Sequence, residues 1–190
     1  WLMGANCRLP RDIRIKWVVP VAEAFHARFE ARARSYRYLI HNGAVASALF
    51  HDLCAWEFRP LDHEGMHRCA QMLLGEHDFS SFRAGACQAR HAVRDIQQIS
   101  VDRQEEAVTL EVTANGFLYH MVRNIAGSLI RVGLGEQPVS WIQQLLELKD
   151  RSKAAPTAQP EGLYFVSARY PEEYDLPVAA AAFPRGWNLS

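Results

Sequence analysis

Two segments of alternating polarity constrain the fold of this chain more than any other feature. Residues 95–102 (DIQQISVD) and 107–114 (AVTLEVTA) alternate apolar and polar side chains, and four polar residues separate them. Because side chains alternate between the two faces of a strand, the pattern predicts a β-hairpin. Alternation also predicts strands at 12–19 and 34–41, and an apolar segment predicts a last strand at 163–169.

Helical periodicity occupies three further segments. Residues 62–74 place apolar side chains on one helical face behind the N-cap candidate Asp62. Residues 117–132 are sharply two-sided, and Ser140 is predicted to cap a short helix over 140–148. The order strand, strand, helix, hairpin, helix, helix, strand predicts an α+β domain with a mostly antiparallel sheet and helices packed on one face.

Composition excludes several classes of protein. With 49% hydrophobic and 22% charged residues, the chain has enough apolar content to fold around a core. No apolar run approaches the roughly 20 residues that span a bilayer, and no signal peptide is visible, so no membrane contact is expected. The four cysteines include no CxxC pair, which favours reduced thiols in a cytosol over a disulfide scaffold or a zinc ribbon. The chain opens at Trp1 in what reads as mid-domain sequence, so we expect it to be a piece of a longer protein.

Basic residues are unevenly distributed, although 21 basic and 21 acidic residues give a net charge of zero. Residues 1–41 carry eight basic and three acidic side chains, and only three basic residues of the whole chain are lysine. Arginine presents a flat fork that grips phosphate, so a polyanion partner is one interpretation of the first third. A compositional bias toward arginine is the other, and composition alone leaves both open.

Residues 25–40, FHARFEARARSYRYLI, interleave arginines with aromatic side chains. Arginines can contact phosphates and aromatic rings can stack on bases, which indicates RNA binding. An ordinary strand with its aromatics inward and its arginines outward fits the same letters equally well.

A long polar loop is predicted between the first helix and the hairpin, at about 79–94. Its basic side chains, with those just before it, are His77, Arg83, Arg90, His91 and Arg94. His77 and Asp78 could form an acid–base pair, but neighbouring side chains usually point apart, so a bracing role is favoured. His77 with His91 makes a weak metal site, because no third ligand has suitable spacing.

Arg123 is the charged residue of the 117–132 helix with the most unusual surroundings. It is flanked by apolar residues and shares its face with Gly127 and Ser128, which predicts close packing against another element. A partly buried arginine needs a carboxylate or phosphate partner. A surface arginine whose aliphatic stem lies on apolar neighbours is the alternative.

Four segments together resemble motifs of the tRNA pseudouridine synthase A family, both in their amino-acid sequences and in their order along the chain: FHARFEARARSYRYLI, GEHDFSSFRAGACQARHAVR, FLYHMVRNIAGSLIRVG and EGLYFVSARYP. The resemblance runs from Trp1 to about Pro177. It implies the pseudouridine synthase fold, with this chain as the C-terminal half of a two-half catalytic domain. Residues 1–20 would then end the N-terminal half or link the halves, 21–170 would form the C-terminal α+β domain, and 171–190 would be a tail.

The resemblance also implies an activity. Members of the family isomerise uridine to pseudouridine in the tRNA anticodon stem-loop, as cytoplasmic homodimers, without a cofactor or a catalytic metal. Each of three residues is expected to have the role of the family residue that it matches. Tyr36 would stack on the target base and take part in proton transfer, Arg123 would pair with the catalytic aspartate, and Leu163 would line the base pocket. Further substrate contacts are expected at Arg37, His77, Arg83, Arg90 and His120.

One family block is missing from these residues. The family's nucleophilic aspartate lies in a GRTDAGVHA-like segment, and none of the eight aspartates here has that context. The block is expected N-terminal to Trp1, so the chain should carry half of the cleft without the attacking group and be inactive alone. Two alternatives stay open: a stand-alone RNA-binding α+β module without catalysis, and a hydrolase using His77, Asp78 and a serine.

Overall fold

The computed structural model describes residues 1–177; residues 178–190, which include most of the expected tail, lie outside the described part. The helices are α1 (Leu2–Asn6), α2 (His63–Gln71), α3 (Met121–Gly133) and α4 (Trp141–Leu148). The strands are β1 (Ala33–His41), β2 (Ala55–Trp56), β3 (Gly75–Asp78), β4 (Val93–Gln104), β5 (Ala107–Ala114) and β6 (Leu163–Arg169).

One sheet contains all six of these strands. Its order is β2-β1-β5-β4-β3, and β6 also pairs with β1. The strand β1 therefore has β5 along one edge and, along the other, first β6 and then the two-residue β2. Every pairing is antiparallel except that of β1 with β2, which confirms the mostly antiparallel sheet and the hairpin β4–β5.

The core lies between one face of the sheet and the helices α2 and α3. Tyr38 of β1 is paired with Leu110 of β5, and Leu110 with Val101 of β4; all three are buried. The helix α2 contacts β4, and α3 contacts both α2 and β1. The opposite face is polar: the hydroxyls of Ser35 on β1 and Thr113 on β5 form a hydrogen bond of 2.8 Å. The predicted α+β class, with these two helices on one sheet face, is confirmed.

The strand predicted at 12–19 is wrong, since residues 12–20 form neither helix nor strand. Instead, the Asn6 side chain accepts a hydrogen bond from the Ile15 amide at 2.9 Å and donates one to the Ile15 carbonyl at 2.8 Å. An alternating segment becomes a strand only where a neighbouring strand pairs with its backbone, and here a side chain takes that place. The elements α1, β2 and β3 were not predicted, because each is too short to show a period.

Helix ends follow local capping. Asp62 caps α2 as predicted, its carboxylate accepting from the Gly65 amide at 2.8 Å, although the helix ends three residues earlier than predicted. The helix α3 begins at Met121 rather than 117, because His120 adopts a left-handed conformation with φ 59° that stops the helix from extending backward. Ser140 precedes α4 but makes no side-chain cap, so that detail was wrong.

Three findings concern what the described residues lack. All four cysteines are free. No described helix has the length and apolarity needed to cross a bilayer. Within residues 1–177, no three His, Cys, Asp or Glu side chains are grouped as a metal site would require.

Candidate active site

The first turn of α3 places Arg123 against the segment that leads into β6. Its Nε donates to the Ala158 carbonyl at 2.8 Å, and the Ala158 amide donates back to the Arg123 carbonyl at 3.2 Å. One terminal guanidinium nitrogen lies 3.5 Å from His120 Nε2. A guanidinium has five N–H donors, so this arrangement fixes Arg123 while leaving donors for a further anion.

An aromatic wall lies on the face of the sheet that α3 covers. Side chains from β1, β6 and the turn before α3 form it. Tyr36 is paired with Phe165 across the strands, and their ring centres are 5.5 Å apart in an edge-to-face contact. Phe117 makes a second edge-to-face contact with Tyr36 at 5.0 Å. Leu163 is paired with Tyr38 and extends this wall toward the core. The four side chains form an apolar surface of the kind that receives a planar ring.

Tyr38 connects the wall to Arg123. Its hydroxyl donates to the Gln159 carbonyl at 2.8 Å, one residue beyond the Arg123 acceptor. Burial raises the pKa of Tyr38 well above its usual range; the charge of Arg123 opposes that shift and Glu161 adds to it. Residues 158 and 159 are therefore held by two hydrogen bonds, one from Arg123 and one from Tyr38. Tyr36 and Leu163 lie on the face of the sheet against which the helix of Arg123 packs.

Close packing behind Arg123, predicted from Gly127 and Ser128, is confirmed. A Cβ on Gly127 would stand 2.3 Å from the Pro156 carbonyl oxygen. The buried Asn124 accepts hydrogen bonds from Thr157 Oγ1 at 2.7 Å and from Arg151 at 3.1 Å. These contacts fix the segment 151–159 on α3, and no sequence signal indicated them because the partners are 27 and 33 residues apart.

Electrostatics separate two sets of arginines. Four pair with carboxylates: Arg37, Arg59, Arg68 and Arg131. Seven others donate to backbone carbonyls and, within residues 1–177, have no Asp or Glu oxygen within 4.0 Å: Arg14, Arg103, Arg151 and, around the start of α3, Arg34, Arg83, Arg94 and Arg123. The last four of these leave positive charge without a neutralising partner near the start of α3.

Two other predicted substrate contacts, Arg37 and His77, lie apart from Arg123. Arg37 points to the opposite face of the sheet and pairs with Glu111. His77 lies on β3, at the other edge of the sheet, with its Nε2 2.8 Å from the Leu74 carbonyl. Arg90 is exposed in the loop before β4. The structure therefore places Arg123 beside His120, with Tyr36 and Leu163 on the sheet face against which α3 packs, whereas Arg37 and His77 lie elsewhere.

The geometry that a hydrolase would need is not formed. Asp78 accepts from the Ser80 amide at 2.9 Å and from its hydroxyl at 2.6 Å, as a turn brace. The His77 ring bonds to Leu74 instead of bridging Asp78 and a serine, so that alternative was wrong.

Comparison with known proteins gives a consistent result. A family model described as tRNA pseudouridine synthase matches residues 69–171. The chain is 54% identical over 177 residues to the tRNA pseudouridine synthase A of Xanthomonas campestris pv. campestris, covering 93% of this chain and 69% of the relative. Identity is also 54% to the proteins of the same name from Hydrogenovibrio crunogenus and Xanthomonas axonopodis pv. citri, of which the chain covers 68% and 69%.

Proposed function

The chain belongs to the tRNA pseudouridine synthase A family, and from this premise we propose that it forms one wall of the site where a uridine of the tRNA anticodon stem-loop becomes pseudouridine. One observation carries the proposal. The Arg123 guanidinium is fixed by the Ala158 carbonyl, next to the Gln159 carbonyl that holds Tyr38, and Tyr38 lies on the same strand and sheet face as Tyr36. No carboxylate of the described residues lies within 4.0 Å of it.

The aromatic wall suits a base turned out of its stack. Turning out a base costs a few kcal/mol, which a receiving surface must offset by stacking and apolar contact. Tyr36 offers a ring braced by Phe117 and Phe165, and Leu163 continues the apolar surface. A base held there would lie on the same face of the sheet as Arg123.

Arg123 would hold the attacking carboxylate. A nucleophilic aspartate must remain ionised although partly removed from water, and an adjacent guanidinium favours the charged form. Because Nε is committed to Ala158 and one terminal nitrogen faces His120 Nε2, the remaining N–H donors can receive a carboxylate only from a fixed direction. The aspartate would attack the turned-out nucleotide and the glycosidic bond to N1 would break. The base would then be rejoined through C5 as the carboxylate is released, with C5 losing a proton and N1 gaining one.

We infer that this carboxylate comes from a segment outside these residues, so that the chain alone does not isomerise uridine. Release of tritium from tRNA labelled at uridine C5 tests this, because forming the new carbon bond displaces the label. We expect release at background level. Sustained turnover by the 190-residue chain alone would refute the inference.

RNA binding by the chain itself is a separate expectation. Arginine–phosphate contacts release counterions, so affinity for a tRNA stem-loop should fall steeply between about 50 and about 200 mM salt. An affinity that does not change over this range would refute binding through the arginines that have no carboxylate partner among the described residues. A stand-alone RNA-binding module is the second candidate function, favoured by the same arginines. It predicts that Arg123→Ala alters binding alone, even in a longer protein that contains the family's aspartate block.

We also propose that the protein works as a homodimer in the cytoplasm. Four free cysteines fit a reducing compartment. Val45 and Leu49 project exposed apolar side chains from the loop before β2, which suits a protein contact. Light scattering on the purified protein tests the dimer, and a monomer at all concentrations would count against it.

A further inference from the structure

The turn between β5 and α3, residues 115–120, is surrounded by arginines. Arg34 donates to the Asn115 carbonyl at 3.2 Å. The Nε of Arg94 lies 3.5 Å from the position that a Cβ on Gly116 would take. Together with Arg123 beside His120, these side chains place positive charge along the whole turn.

Tyr119 occupies a rigid position in this turn. Its amide donates to Cys87 Sγ at 3.4 Å, and its carbonyl accepts from the Ala84 amide at 3.2 Å. Arg83 fixes the opposing loop by donating to the carbonyls of Cys87 and Ala89 at 3.0 and 2.8 Å. The backbone of Tyr119 is therefore held by hydrogen bonds on both sides, and Arg83, a fourth arginine, fixes the loop that it contacts.

The Tyr119 ring is nevertheless half exposed. It stacks on His120 with ring centres 3.9 Å apart and planes at 26°, and 52% of the residue remains accessible. Its hydroxyl makes no hydrogen bond to any residue between 1 and 177. His120, beneath it, adopts the left-handed conformation, which is uncommon outside glycine and is then found mostly for asparagine, aspartate and histidine. Such strain persists where the surrounding structure fixes it, and it holds the two rings in register.

Resting on the proposed function, we propose that Tyr119 is the stacking platform for one unpaired base of the RNA, next to the uridine held at Arg123, with the surrounding arginines contacting the phosphates. The distances support adjacency, because only the His120 ring separates Tyr119 from Arg123. Burial and the charge of Arg123 both lower the pKa of His120, so the ring beneath the platform is uncharged at neutral pH. An exposed aromatic ring among unneutralised guanidiniums is the combination that single-stranded RNA recognition uses.

The test compares two RNAs that carry the same number of phosphates: a stem-loop with unpaired loop bases and a fully paired duplex. For Tyr119→Ala, the dissociation constant for the stem-loop should rise about 5- to 150-fold, the range for loss of one base–aromatic stack. Affinity for the duplex and the salt dependence should not change. Tyr119→Phe should bind like the wild type, because the ring is retained. Phe58→Ala removes a ring of similar exposure, 60% against 52%, just beyond the edge strand β2 and is the matched control.

The outcomes separate this inference from the proposed function. If the wild-type chain binds neither RNA, the proposed function fails and the platform with it. If the wild type binds but Tyr119→Ala binds the stem-loop equally well, or loses both RNAs equally, the platform alone is refuted. If Tyr119→Ala instead disperses an oligomer without changing RNA affinity, the turn is a protein contact and the platform is likewise refuted.

Discussion

Replacing Gly127 by alanine tests how the segment carrying the Arg123 acceptor is fixed to α3. The new Cβ would stand 2.3 Å from the Pro156 carbonyl oxygen, closer than real Cβ atoms come to any atom. Backbone cannot move aside as a side chain can, so either α3 or residues 156–159 must shift. The carbonyls of Ala158 and Gln159, which hold Arg123 and Tyr38, lie in that segment.

The expected magnitude follows from two opposing effects. Overpacking costs about 1–3 kcal/mol, and contact with backbone places this substitution near 3 kcal/mol. Alanine improves helix propensity over glycine by about 1 kcal/mol. The net loss should be about 2 kcal/mol, which reduces the ratio of folded to unfolded protein roughly 30-fold.

Urea unfolding of three glycine variants measures this. Gly133→Ala meets the flexible end of Met66 at 2.6 Å, so it should lose less stability than Gly127→Ala. Gly4→Ala meets nothing within 4 Å and should be neutral or slightly stabilising. If Gly127→Ala proves as stable as the wild type, with an unchanged denaturant slope, the contact between α3 and Pro156 is not as described.

Three further substitutions test the neighbouring contacts. Tyr38→Phe removes the donor to Gln159 inside the core and should lower the free energy of unfolding by about 1–2 kcal/mol; an unchanged urea midpoint would contradict that bond. In a protein that also contains the family's aspartate block, Arg123→Ala should reduce turnover far more than tRNA affinity, measured by tritium release and filter binding; equal losses would argue against pairing with the nucleophile. His120→Asn should keep the left-handed backbone but remove the ionisable imidazole ring. Because the folded pKa of His120 lies below its ordinary 6.5, the unfolded chain binds its proton first, so stability present above pH 6.5 is lost as the pH falls through that value. Melting temperatures at neutral and mildly acid pH should therefore differ less in His120→Asn than in the wild type, and an identical difference would refute this.

Much of the fold could be predicted because its signals are local. The alternation of 107–114 predicts a strand whatever lies beside it, and Asp62 caps its helix with an amide three residues away. The strand predicted at 12–19 shows the limit, since alternation does not say whether a partner strand will be there. The family blocks likewise predicted Arg123 and Tyr36 as site residues, because each lies in a short segment that resembles a family motif.

The sequence by itself therefore determined most of the longer elements, their order and the family. Tertiary structure alone decided which arginines keep their charge available: Arg37 meets Glu111, 74 residues away, whereas Arg94 meets the His91 ring and the carbonyls of His91 and Val93. It also decided that Asn124 and Thr157 would fix the segment behind Arg123. The reason is physical. Periodicity and capping act within a few residues, whereas the choice of a hydrogen-bond or ion-pair partner depends on which distant side chains the packed sheet and helices bring within about 3 Å.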